Sequence, residues 1–268
     1  MNHRLRIGDI DVAWTEEGDG PPVVFVHGLA EDRHTWAYQQ QHMPGRHTYA
    51  YDLRGHGETT VGDADGTAEQ LSADLVRFLC MVTGPATCVG FSLGGTVVLG
   101  AAAAAPELVT KAIVVGTSSV VGRGAVEFFR TRIDQVESNM LDEFREGMRD
   151  DTAAAIANPS IDIDAITAHR LRAVGDGRGY VNAARAMARV NAHPLTDIIR
   201  TITMHIDVVG STLDTFCPRK AADLLLATLP DATYWELDGA AHLMNVDDPA
   251  GLTRILDSIL EVRTKEYT

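Results

Sequence analysis

Three residues far apart in the chain have the types and settings for nucleophilic acyl chemistry: Ser92, Asp214 and His242. Ser92 lies in Gly90-Phe91-Ser92-Leu93-Gly94, the pattern G-x-S-x-G. Glycines on both sides of a serine let backbone approach closely in a sharp turn, and such a turn lifts the hydroxyl clear of its surroundings. A serine hydroxyl is a weak nucleophile at its ordinary pKa. It needs a base, and the base needs an acid to orient it. His242, in Asp238-Gly239-Ala240-Ala241-His242, is placed to be the base, on a loop after a late strand. Asp214, in Val209-Gly210-Ser211-Thr212-Leu213-Asp214, is placed to be the acid. The chain order Ser, Asp, His suits residues that meet at the carboxyl ends of strands in one sheet. Asp207 is the competing acid. It lies inside an apolar strand, several residues before the strand's end, where an unpaired carboxylate is costly.

Acyl transfer also needs fixed donors for the oxyanion, and backbone N–H groups serve because they are set before the charge develops. The residue after the nucleophile, Leu93, supplies one. The loop after the Val23–Val26 run supplies the other, at Leu29. His27, two residues earlier, is expected to shape this loop through a hydrogen bond and to border the substrate pocket.

The elements that must position these residues can be read from apolar spacing. Leu5 to Thr15 alternates like an antiparallel hairpin, broken at Gly8-Asp9. Short apolar runs at 23–26, 48–51, 86–89, 112–115, 204–209 and 234–237 read as strands, most of them buried on both faces. Helical spacing follows at 67–81, 96–105, 219–229 and 249–262. Strand and helix in alternation predict an α/β fold, a mostly parallel sheet with helices on both faces and right-handed crossovers. Residues 120–198 carry helical patterns and no convincing strand. They are expected to form a helical cap inserted in a core made of residues 1–119 and 199–268.

These same residues carry a resemblance. His27-Gly28, the stretch Asp52-Leu53-Arg54-Gly55-His56-Gly57, the run Gly90 to Gly95, Pro218, and Gly239 with His242 are similar to the signatures of the α/β-hydrolase fold family, in its small single-domain branch with a helical cap. The resemblance implies an eight-stranded sheet. It implies chemistry of the kind seen in carboxylesterases, enol-lactone hydrolases and cofactor-free haloperoxidase-like perhydrolases. The chain departs from the common family pattern at Glu58-Thr59-Thr60, at Met204-His205, and in an acid loop one residue longer, Gly210 to Asp214.

Composition narrows the class further. The chain has 268 residues, 45% of them apolar, and a formal charge of −14. That charge repels nucleic acid and anionic membrane. Cys80, Cys88 and Cys217 form no disulfide framework, and no Cys or His cluster points to a metal. The expectation is a cytoplasmic protein without metal or organic cofactor, whose partner is a small molecule, with room for a homo-oligomer. Phe128, Phe129, Met140, Phe144, Met148 and Met187 are expected to line an apolar pocket under the cap. Arg130, Arg132 and Arg145 are candidates to receive a substrate carboxylate, against the plainer reading of a solvated helix face. A serine nucleophile argues against alkyl-enzyme chemistry on a carboxylate and for hydrolysis of an ester or lactone. Carbon–carbon hydrolysis of a ring-cleavage diketone, perhydrolysis, and a non-catalytic binding protein of the same fold are the alternatives.

Overall fold

Four consecutive apolar residues, Val23 to Val26, show how the core is built. Val24 and Val26 face one side of the sheet and Val23 and Phe25 the other, and both sides are buried. Successive strand residues point to opposite faces, so a strand covered on both sides must be apolar throughout.

The computed structural model describes residues 2–262. It contains one eight-stranded sheet in the order β1-β2-β4-β3-β5-β6-β7-β8. The strands are β1 (Asn2–Ile7), β2 (Ile10–Glu17), β3 (Pro22–Val26), β4 (His47–Tyr51), β5 (Ala86–Phe91), β6 (Val109–Val115), β7 (Ile206–Ser211) and β8 (Ala232–Leu237). The pairs β1–β2 and β2–β4 are antiparallel and all the others parallel. β7 begins at Ile206, two residues later than its apolar pattern suggests.

The first three helices are α1 (Ala37–His42), α2 (Ala68–Phe78) and α3 (Leu93–Ala104). Between β6 and β7 the chain forms α4 (Arg123–Glu137), α5 (Leu141–Ala154), α6 (Ile163–Val174), α7 (Arg178–Arg189) and the short α8 (Thr196–Ile199). Then come α9 (Arg219–Thr228), α10 (Met244–Asp247) and α11 (Pro249–Val262). Residues of α2, α3, α8 and α9 share a core with one sheet face, and residues of α10 and α11 with the other. The helices α4 to α7 enclose a third cluster of their own, containing Ile133, Phe144, Tyr180 and Val181. Among the described residues, no helix is long and apolar enough to cross a membrane.

Two buried arginines fasten the loop after β4. Arg54 lies on Asp74 of α2 through Nε and Nη2, at 2.8 and 2.9 Å, and on Asp9 of the β1–β2 turn at 2.6 and 2.9 Å. Arg33 is paired with Asp52, whose two oxygens also accept from the Arg33 and Glu58 backbone amides. A buried guanidinium or carboxylate is tolerable only when its charge is matched and its hydrogen bonds are made. Arg54 meets both conditions, and Arg33 has its charge matched while its Nε is left without a hydrogen-bond partner.

The turn from β5 to α3 is tight. A Cβ on Gly94 would overlap the carbonyl oxygens of Val26 and His27, and one on Gly90 would overlap the Gly94 carbonyl. These obstacles are backbone atoms, which cannot rotate away. Gly94→Ala should therefore cost about 2 kcal/mol or more of folding stability, read as a lowered midpoint in chemical denaturation. An unchanged midpoint would mean that α3 does not pack this closely on β3.

Candidate active site

Ser92 follows the last residue of β5 and precedes the first of α3, with φ 52° and ψ −114°. A serine in this region is strained, and such a conformation persists only where its surroundings hold it. The surroundings do so. The Ser92 amide donates to Val115 O at 2.8 Å, and the Ser92 carbonyl accepts from the Gly95 and Thr96 amides.

His242 and Asp214 reach Ser92 from the neighbouring loops. His242 Nε2 is 3.1 Å from Ser92 Oγ, and His242 Nδ1 is 2.9 Å from Asp214 Oδ2. The second carboxylate oxygen of Asp214 accepts from the Phe216 and Cys217 amides, each at 2.8 Å. Asp214 thus has both oxygens engaged and cannot rotate without losing hydrogen bonds. With Nδ1–H donated to a carboxylate, Nε2 is left unprotonated and faces the hydroxyl. The imidazole is tilted against the Phe91 ring and stacked on the Phe216 ring, at centroid distances of 5.0 and 5.1 Å.

The competing acid stands elsewhere. Asp207 is near the amino end of β7, where Trp235 Nε1 donates to it at 2.8 Å and Lys111 Nζ is 3.3 Å away. These partners account for a carboxylate inside an apolar strand.

Leu93 is the first residue of α3, so its N–H is one of the donors a helix leaves unpaired at its start. Leu29 and Leu93 both border the cavity above Ser92. His27 does not border it, contrary to expectation. It is fully buried beneath the loop, where Nε2 accepts from the Leu53 amide at 2.9 Å and Nδ1 lies 2.7 Å from Gly28 O. Burial pushes its pKa down to about 4, so it is a neutral strut between the loops after β3 and β4. Glu31, also buried, accepts from the Gly28 amide at 2.8 Å and completes the loop.

The cavity has a volume of about 650 Å³. Ser92 and His242 are in its floor, and Phe128, Phe129, Met148 and Met187 are in its helical wall. Met140 and Phe144 are not in that wall. Met140 caps the start of α5 and is 42% exposed. Phe144 packs inside the helical layer, edge-on to Tyr180 at 5.2 Å. The proposed carboxylate receivers are also placed elsewhere: Arg132 is paired with Asp151, Arg145 with Asp142 on the surface, and Arg130 is exposed. Arg170, Tyr180 and Phe216 do border the cavity, and sequence reasoning missed them. For Arg170 the only available signal was a charge on a helix, which reads as a solvated face.

One buried carboxylate joins the helical layer to the loop of His242. Asp247 accepts from the Ala157 and Asn158 amides, at 3.0 and 2.7 Å, and from the Ala241 amide at 2.6 Å. Leu243 N also donates to Ala155 O at 2.9 Å.

Comparison with known proteins agrees with this architecture. The alpha/beta hydrolase family model matches residues 23–255, and the chain belongs to that family. It is 24% identical over 262 residues to the 2-(acetamidomethylene)succinate hydrolase of Mesorhizobium japonicum, covering 93% of this chain and 91% of that protein. It is likewise 24% identical over 271 residues to the pyrrolizixenacetamide deacetylase of Xenorhabdus hominickii, covering 96% and 97%. Among solved structures, the enol-lactonase of Burkholderia xenovorans superposes with a TM-score of 0.84 at 20% identity, over 96% of this chain and 99% of that one.

Two measurements follow. Asp214→Asn should lower any Ser92-dependent turnover by about 10⁴-fold, because the imidazole loses the partner that fixes its tautomer. Asp207→Asn should lower the melting temperature instead, and the opposite pattern would exchange the two assignments. Burial also holds His56 down, to about 3, so His27 and His56 stay neutral in the fold well below the 6.5 of an exposed histidine. The unfolded chain then binds more protons below pH 6.5, and stability is lost as pH falls. Between pH 7 and 5 each histidine should account for about 2 kcal/mol of that loss. Denaturant titrations at both pH values should give a smaller loss for His56→Phe than for the wild type.

Proposed function

We propose that the protein is a serine hydrolase that cleaves an ester or lactone of a compact, mainly apolar substrate through an acyl-enzyme on Ser92. The observation that carries this reading is the relay from Asp214 through His242 to Ser92 Oγ at the floor of an apolar cavity. His242 takes the Ser92 proton as Oγ attacks the substrate carbonyl. The Leu29 and Leu93 amides hold the oxyanion, and the resulting imidazolium is stabilised by Asp214. As the tetrahedral intermediate collapses, the carbon–oxygen bond to the leaving group breaks and His242 gives its proton to that oxygen. A water, deprotonated by His242, then attacks the acyl-enzyme. The acid leaves, and the proton returns to Ser92.

The size of the substrate follows from the helices over the site. A cavity of about 650 Å³ is in the range of small-molecule pockets. Helices α4 to α7 act in this reading as a cap that excludes bulk water and so strengthens the oxyanion contacts beneath it. Relatives named as a hydrolase, a deacetylase and an enol-lactonase support acyl chemistry of this general kind.

Ser92→Ala should abolish at least about 10⁴-fold of turnover on p-nitrophenyl esters and small lactones, with a melting temperature near that of the wild type. Full activity in that variant would end the covalent mechanism. Across p-nitrophenyl esters of increasing length, kcat/KM should peak at short or medium acyl chains. A steady rise to very long chains would mean an open cleft.

A further inference from the structure

Arg170, on α6, is the cation that the helical layer contributes to the cavity wall among the described residues. One side of its guanidinium is committed. Nη1 donates to Thr152 Oγ1 at 2.7 Å, and Thr152 Oγ1 donates in turn to Met148 O at 2.7 Å. The other side is nearly empty. Nη2 has only a 3.5 Å approach to Leu29 O, and Nε is buried without a hydrogen-bond partner. Among the described residues no carboxylate forms an ion pair with Arg170.

Two other arginines indicate what this side of the group takes. Arg54 holds Asp74 with Nε and Nη2, and Arg132 holds Asp151 with Nε and Nη2, the latter at 2.9 Å each. These two N–H groups are parallel and match the spacing of carboxylate oxygens, which makes the pairing bidentate. The same edge of Arg170 has no carboxylate on it. Asp151 is the carboxylate in the cavity wall, and Arg132 has already taken it. Lys220 adds a second cation at the wall. In a chain with a formal charge of −14, the cavity wall thus carries two cations, and the buried Glu31, whose charge acts on Arg170 from beyond ion-pair distance, is itself engaged by the Gly28 amide.

We infer that the Nε–Nη2 edge of Arg170 receives a carboxylate carried by the substrate, so that the protein acts on acyl compounds bearing an acid group away from the carbonyl that Ser92 attacks. This rests on the hydrolase reading above and narrows its substrate class to half-acid esters and carboxylated lactones. The apolar cavity wall holds the carbon chain between the two ends. Thr152 fixes the guanidinium beforehand, so little freedom is lost when the acid binds. In apolar surroundings the charged pair is also less screened than it would be in water.

The test is titration calorimetry with adipate, the acid that an adipate half-ester would release, against neutral adipamide. The wild type should bind adipate more tightly than adipamide by about 30-fold or more. Arg170→Gln should close that gap. Arg170→Lys, which keeps the charge and loses the fork, should retain part of it. Melting temperatures identify a variant that fails to fold, and the lysine variant then carries the comparison. Equal binding of the two ligands by the wild type would overturn the inference. So would a gap that survives in Arg170→Gln or disappears only in Lys220→Gln. Because binding is measured without turnover, failure here is distinct from failure of Ser92-dependent hydrolysis.

Discussion

Close packing of the first turn of α3 on the end of β3 fixes where the rest of the site can stand. Gly94 lies against the carbonyls of Val26 and His27, and Gly90 against the carbonyl of Gly94, with no space for a side chain at either position. The chain therefore turns within one residue, and that residue is Ser92 with its positive φ. The strain of such a backbone, on the order of 1–3 kcal/mol, is tolerated because the flanking strands and helix bury so much apolar surface. The same approach brings the start of α3 beside the loop that follows β3, so Leu29 and Leu93 border one cavity. Position and strain have one origin.

A second layer of constraint sets the loop after β3. His27 beneath it and Glu31 beside it are both buried, and each makes a hydrogen bond to the Gly28 backbone or its neighbour loop. Arg33, from the same segment, is tied to Asp52 in the loop after β4. These contacts place polar groups where apolar ones would pack more simply. Their effect is to hold backbone amides in one orientation, which is what a preorganised oxyanion site requires.

Much of this was legible in the chain because it is local. The G-x-S-x-G pattern after a four-residue apolar run specifies strand, turn and helix within about a dozen residues. Asp214 and His242 could be placed because each follows a strand whose apolar run marks its end. What was not legible depends on distant partners. Helical spacing shows that Phe144 faces inward, but not that inward means Tyr180 rather than the cavity. Met140 belongs to no periodic face at all, since it caps a helix in a turn. Arg170 looks like any charged residue on a helix until Thr152 and Leu29, from two other segments, are seen around it. Asp207 looked costly for the same reason, because Trp235 and Lys111 come from the two neighbouring strands.

Asp247 ties the helical layer to the loop that carries His242. Its carboxylate accepts from Ala157 and Asn158, at the link between α5 and α6, and from Ala241, next to His242. Lifting that link would strip hydrogen bonds from a buried charge and release the histidine loop in the same movement. The cavity wall also includes Phe216 and Leu224, both 41% exposed. The Phe216 ring stacked on His242 thus belongs at once to the cavity wall and to the surface.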